Sequence, residues 1–104
     1  TIWVSGMVAF DPIGQIVGLG DMRAQADKTF ANIAEVLALG GATLADVVKI
    51  TAWLTDMDQY SGYNDARAAA FTGRMPASAT VHSPRLVRDG LLVEVEALAV
   101  LGAD

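Results

Sequence analysis

Two carboxylates stand in the most apolar segment of this chain, LLVEVEALAV at residues 91–100. Side chains alternate along a strand, so Glu94 and Glu96 share a face with Leu92, Leu98 and Val100. Val93, Val95, Ala97 and Ala99 share the other. A buried, ionised carboxylate without a partner costs several kcal/mol, so the glutamate face must meet water or a charge brought from elsewhere. A carboxylate that reaches water is a competent general base. The other chemically capable residues give weaker signals. His82, the one histidine, follows SATV near a turn, where a solvated or carbonyl-capping role is the simpler reading. Tyr60, Tyr63 and Arg67 share a helix face at i, i+3, i+7 spacing, which resembles an aromatic-plus-cation site but reads first as a packing stripe with an amphipathic rim. Gly18-Leu19-Gly20 lacks the continuation of a phosphate loop, and SATVHS offers no Ser–His pair in a triad order.

These residues sit in a chain of 104 residues, 53% hydrophobic and 18% charged, with net charge −5. That length suits one domain, spanning 1–104, and its apolar surplus is large for so small an interior, which points to a subunit interface. The seven Lys and Arg are scattered singly, so no basic patch invites nucleic acid. Without cysteine, disulfides and thiolate chemistry are excluded, and one histidine cannot build a multi-histidine metal site. No metal and no cofactor are expected. No apolar run approaches the roughly 20 residues of a membrane span, and no basic region precedes a signal-like segment, so a soluble cytoplasmic protein without a membrane partner is expected. The chain opens on Thr1, already mid-strand, so a short N-terminal segment is expected to be missing.

The elements that must hold the glutamates are legible in order. TIWVSGMVAFD reads as a strand, DPIGQ as a turn, and QIVG as the returning strand of a hairpin. Asp21 can cap a helix running to LALGG, ended by Gly40 or Gly41. Ala26, Phe30, Ile33 and Leu37 form its buried stripe, leaving Gln25, Lys28, Asn32 and Glu35 to solvent. Thr43 and Asp46 suit a capped turn. In VVKITAWLT, Val48, Ile50, Ala52 and Leu54 should face the helices and Lys49, Thr51 and Trp53 the other side. A second helix is expected over 57–72, capped by Asp56 or Asp58 and ended by Gly73. Strands ASATVHS and LLVEVEALAV follow. The order β-β-α-β-α-β-β describes an α+β fold with both helices on one face of a mixed sheet.

In this order, IWVSGMV, ADKTFANIAEVLALGGATLADVVKITAWLTDM, YNDARAAAF, MPASATV and LLVEVEALAV resemble the signatures of the Rid (YjgF/RidA) family, the reactive intermediate deaminases. The resemblance implies a chorismate-mutase-like fold, a homotrimer with small-molecule clefts between subunits, and hydrolysis of enamine or imine intermediates to a ketoacid and ammonia. It places Glu94 as the acid that positions water in the cleft, Glu96 as a structural or interface acid, and Ser5, Gly6, Asn64, Ser78 and Thr80 at substrate-binding positions.

The chain departs from that pattern at one place that matters. Family deaminases carry an arginine after Pro-Ala, whose planar fork grips the substrate carboxylate. Here MPAS puts Ser78 there, and a hydroxyl cannot replace a guanidinium. Arg74 and Arg85 are near in sequence but have no evident route in. Met7 also replaces a frequent glutamine. Slow turnover of 2-iminopropanoate is therefore expected. The resemblance leaves three readings: an enamine or imine deaminase, a trimer that binds a small metabolite without turning it over, and, least favoured by the acidic charge, a ribonuclease.

Overall fold

The structure, a computed structural model, describes residues 1–102. Strand β1 (Ile2–Met7) is followed by helix α1 (Met22–Leu39), a 3-10 turn at Leu44–Asp46 and strand β2 (Val47–Leu54). A second 3-10 turn at Met57–Gln59 leads into helix α2 (Tyr60–Ala70), then strands β3 (Ala77–His82) and β4 (Val93–Ala99). The sheet order is β1-β4-β2-β3. β4 runs antiparallel to both neighbours while β2 and β3 are parallel, a pairing that requires a crossover, here made by α2.

Alternation in β4 places Val93, Val95, Ala97 and Ala99 in the core, against Ile50, Ala52 and Leu54 of β2 and Phe30, Ile33 and Leu37 of α1. Each fully buried large apolar side chain contributes about 1.5–3 kcal/mol. Asp21 caps α1 by accepting the Ala24 N–H at 3.1 Å, Gly40 closes it, and Thr43 and Asp46 form the expected capping box. Phe71, just past α2, turns inward and meets Phe30 edge-on, with ring centroids 5.5 Å apart.

Four expectations need correction. The early hairpin is reduced to a single bridge between Phe10 and Ile16. The Asp11 carboxylate takes the Ile13 and Gln15 N–H groups at 3.0 and 2.9 Å, and the left-handed glycines Gly18 and Gly20, with φ 84° and 75°, bend the chain away before a ladder can grow. The element order is thus β-α-β-α-β-β. A bulge between Val47 and Lys49 turns Val47 into the core in place of Val48. α2 begins and ends inside the expected range, because Asp56 caps the 3-10 turn rather than the helix and the helix stops at Phe71, before Gly73. Gln25, expected in solvent, is fully buried. Its amide donates to the Gly18 and Gly90 carbonyls at 3.2 and 2.8 Å and accepts the Leu92 N–H at 2.8 Å, so it joins the entry of α1 to the entry of β4. Among the described residues no helix is long and apolar enough to cross a membrane.

Candidate functional site

Glu94 lies half-buried on β4, across from Trp53 of β2, on the sheet face away from the helices. On its other side the β1 register slips between Val4 and Met7, so Ser5 and Gly6 bulge out of the ladder. A Cβ added to Gly6 would overlap the Glu94 carboxylate. Glycine leaves room there for the acid, which occupies the space a side chain would take. The carboxylate reaches a groove of about 490 Å³ at the β1 edge, walled by Gly6, Met7, Val8, Phe10, Lys28 and Asn32. Asn32 holds that wall: its amide donates to the Val8 and Phe10 carbonyls at 3.0 and 2.9 Å, so it serves the segment after β1 rather than solvent. Among the described residues no donor hydrogen-bonds Glu94 and no cation pairs with it. The acid is open to water.

Ser5 faces a second groove of about 460 Å³ on the open sheet face, with Trp3, Lys49, Thr51, Glu96 and Leu98. Glu96 is exposed there. The Lys49 ammonium donates to the Thr51 hydroxyl and the Ile50 carbonyl, both at 3.0 Å.

Asn64, Ser78 and Thr80 collect elsewhere, where α2 overlies β3. Arg67 organises them: Nη1 donates to Ser78 Oγ at 2.8 Å and Nη2 to Asn64 Oδ1 at 2.6 Å, with a longer contact to the Tyr60 hydroxyl at 3.5 Å. Its guanidinium lies over the Tyr63 ring, 5.5 Å from the centroid. Burial pushes the Tyr63 hydroxyl above its ordinary pKa, against the lowering effects of the Arg67 charge and the nearby Ser78 and Thr80 hydroxyls. Those hydroxyls do not meet hydrogen-bond geometry with it, and Tyr63 Oη and Arg67 Nε are both buried without a partner. The i, i+7 spacing of Tyr60 and Arg67 was visible in the sequence, but that the same arginine reaches Ser78 depends on the α2–β3 packing. Arg74 and Arg85 do not line the Glu94 groove, and His82 is exposed at the end of β3. Among the described residues no three His, Cys, Asp or Glu side chains gather as metal ligands.

The two groups do not converge within one chain. Ser78 pairs with Ile50, which faces the helices, whereas Glu94 pairs with Trp53, which faces away. β2 stands between β3 and β4, a separation of about 10 Å at ordinary strand spacing before the difference of face is added.

Residues 1–101 match the family model described as Endoribonuclease L-PSP. The chain is 38% identical over 103 residues to the mouse 2-iminobutanoate/2-iminopropanoate deaminase, covering 98% of this chain and 75% of that protein. It is 38% identical over 98 residues to protein DfrA of Myxococcus xanthus, covering 94% and 74%. A crystal structure of RidA from an Antarctic Psychrobacter superposes with TM-score 0.86 at 32% identity, covering 94% of this chain and 79% of that one. A Yersinia pestis protein of the conserved Rid family superposes with TM-score 0.87 at 30% identity, covering 96% and 77%. With the α+β sheet, the strand-borne acid and nearly the whole length matched, the chain belongs to the Rid family, the group whose model carries the Endoribonuclease L-PSP description.

Proposed function

We propose that this protein is a hydrolytic deaminase of small imines or enamines, working in clefts formed between copies of a homotrimer. The observation that carries this reading is the unpartnered Glu94 carboxylate seated against Gly6 at the edge of a groove, with Asn64, Ser78 and Thr80 at the opposite edge and face of the sheet. A neighbouring copy that presents its α2–β3 edge to this groove completes the site. The open sheet face, with Trp3 79% exposed, supplies apolar surface for such assembly.

In this cleft Glu94 takes a proton from water as the oxygen attacks the imine carbon and passes it to the imine nitrogen, giving a carbinolamine. Glu94 then carries the carbinolamine's hydroxyl proton to the nitrogen as the C–N bond breaks, releasing ammonia and leaving the carbonyl product. Glu94 ends as it began. The similarity to proteins named 2-iminobutanoate/2-iminopropanoate deaminase supports this chemistry. The ribonuclease named in the family description suits a net charge of −5 poorly.

The test is 2-iminobutanoate generated in situ by an amino-acid oxidase, with semicarbazide competing for the imine. The wild-type protein is expected to divert imine from the semicarbazone, and Glu94→Gln to lose about 10²–10⁴-fold of that activity while keeping its assembly. A wild-type protein that binds 2-oxobutanoate but leaves imine decay unchanged is a binding module.

A further inference from the structure

The strand position where the family resemblance leads one to expect an arginine holds Ser78, and the structure brings a different arginine to it. We propose that Arg67, presented from α2, is the residue that grips the substrate's carboxylate, with Ser78 and Asn64 fixing the direction of its fork. This rests on the interchain cleft proposed above and assigns the substrate class, small carboxylates, to a residue of this chain.

Arg67 is half-buried, and its hydrogen-bond partners Ser78, Asn64 and Tyr60 are all neutral. Among the described residues no carboxylate stands within ion-pair distance of it; Asp27 is taken by Arg23 at 3.0 Å. A partly desolvated cation whose donors meet only neutral partners is costly, and an anion arriving from outside would offset that cost. A guanidinium has five N–H donors. Nε is buried, and one donor each goes to Ser78 and Asn64, which leaves two. The Tyr60 contact, at 3.5 Å, is long enough to yield to a carboxylate oxygen. The Tyr63 ring beneath the fork limits its motion, so the remaining donors are held ready for a planar, two-oxygen acceptor.

Calorimetric titration of the assembled full chain with 2-oxobutanoate, and with butanone as its uncharged counterpart, tests this. Wild type is expected to prefer 2-oxobutanoate. Arg67→Met should weaken that binding by about 30-fold or more and Arg67→Lys by less, because an ammonium keeps charge but not the fork, with butanone binding unchanged in both. Ser78→Ala, which leaves the helix untouched, should weaken 2-oxobutanoate binding several-fold, and this keeps the test valid if Arg67→Met fails to fold. The double change Arg67→Met with Ser78→Arg should restore binding. Unchanged 2-oxobutanoate affinity in Arg67→Met and Ser78→Ala, with deamination intact, overturns the assignment of Arg67 and leaves the deaminase reading standing. Arginine-dependent binding without any imine turnover supports Arg67 and overturns the deaminase reading. Failure of wild type to bind 2-oxobutanoate overturns the assignment of Arg67, and the deaminase reading falls with it only where imine decay is unchanged as well.

Discussion

Glu94 is positioned by an absence. Gly6 has no side chain, and the carboxylate lies where one would be. Gly6→Ala is therefore expected to displace a flexible carboxylate rather than the backbone, leaving the melting temperature nearly unchanged. Imine turnover should fall by about 10²-fold, because misplacement of a reacting group on the order of 1 Å costs that much. Thermal denaturation beside the semicarbazide assay separates the two effects. Tyr63 gives a pH-dependent counterpart. Its hydroxyl titrates above the ordinary value of 10.0 because of burial. Below that value both folded and unfolded forms hold the proton, and the stability linked to it is fully present. As pH rises past it the unfolded chain ionises first, so stability falls. Tyr63→Phe should flatten this alkaline loss and, by removing a buried hydroxyl without a partner, leave neutral-pH stability unchanged or slightly higher. Urea midpoints at about pH 8 and about pH 11 would show whether wild type and variant diverge.

At the scale of elements, α1 is more than an amphipathic helix laid on a sheet. Gln25 ties its first turns to Gly18, Gly90 and Leu92, and Asn32 ties its middle to the segment that walls the Glu94 groove. α2 meets α1 closely at Gly62, where an added Cβ would stand 3.0 Å from the Arg23 backbone nitrogen. This close contact helps set where α2, and with it Arg67, lies over β3. Gln25→Ala removes three hydrogen bonds, taking from the Gly90 carbonyl and the Leu92 N–H the partner it supplied, while the Gly18 carbonyl keeps the Asp21 N–H. It is expected to destabilise the fold by about 2–4 kcal/mol, read as a lower denaturant midpoint with an unchanged slope.

For the whole molecule, the division of candidate site residues between the β1 and β3 edges has a consequence that mixing can detect. Glu94→Gln damages one half-site and Arg67→Met the other. If each cleft joins halves from different copies, equal mixing through unfolding and reassembly should restore about one intact site in four, although both parents are impaired. Recovery of imine turnover toward a quarter of wild type is the expected result. A site made within one chain would recover none.

Much of the fold follows from local pattern. The alternation of β4 separated its glutamates from its valines, the Ala26–Phe30–Ile33–Leu37 stripe gave α1 its buried side, and Asp21 and Thr43 marked element starts, since these signals depend on residues within a few positions of one another. The short match at Ser78 was legible for the same reason. Local pattern could not show that Gln25 is buried, because its partners at Gly90 and Leu92 lie 65 and 67 residues away. Nor could it show that Phe10 and Ile16 pair only once, or that an arginine eleven residues before Ser78 reaches its hydroxyl. Helix periodicity assigns Arg67 to a face. Only the packing of α2 on β3 decides what that face meets, and only the sheet order sets Glu94 and Ser78 on opposite sides of β2, because these placements come from contacts that close long loops.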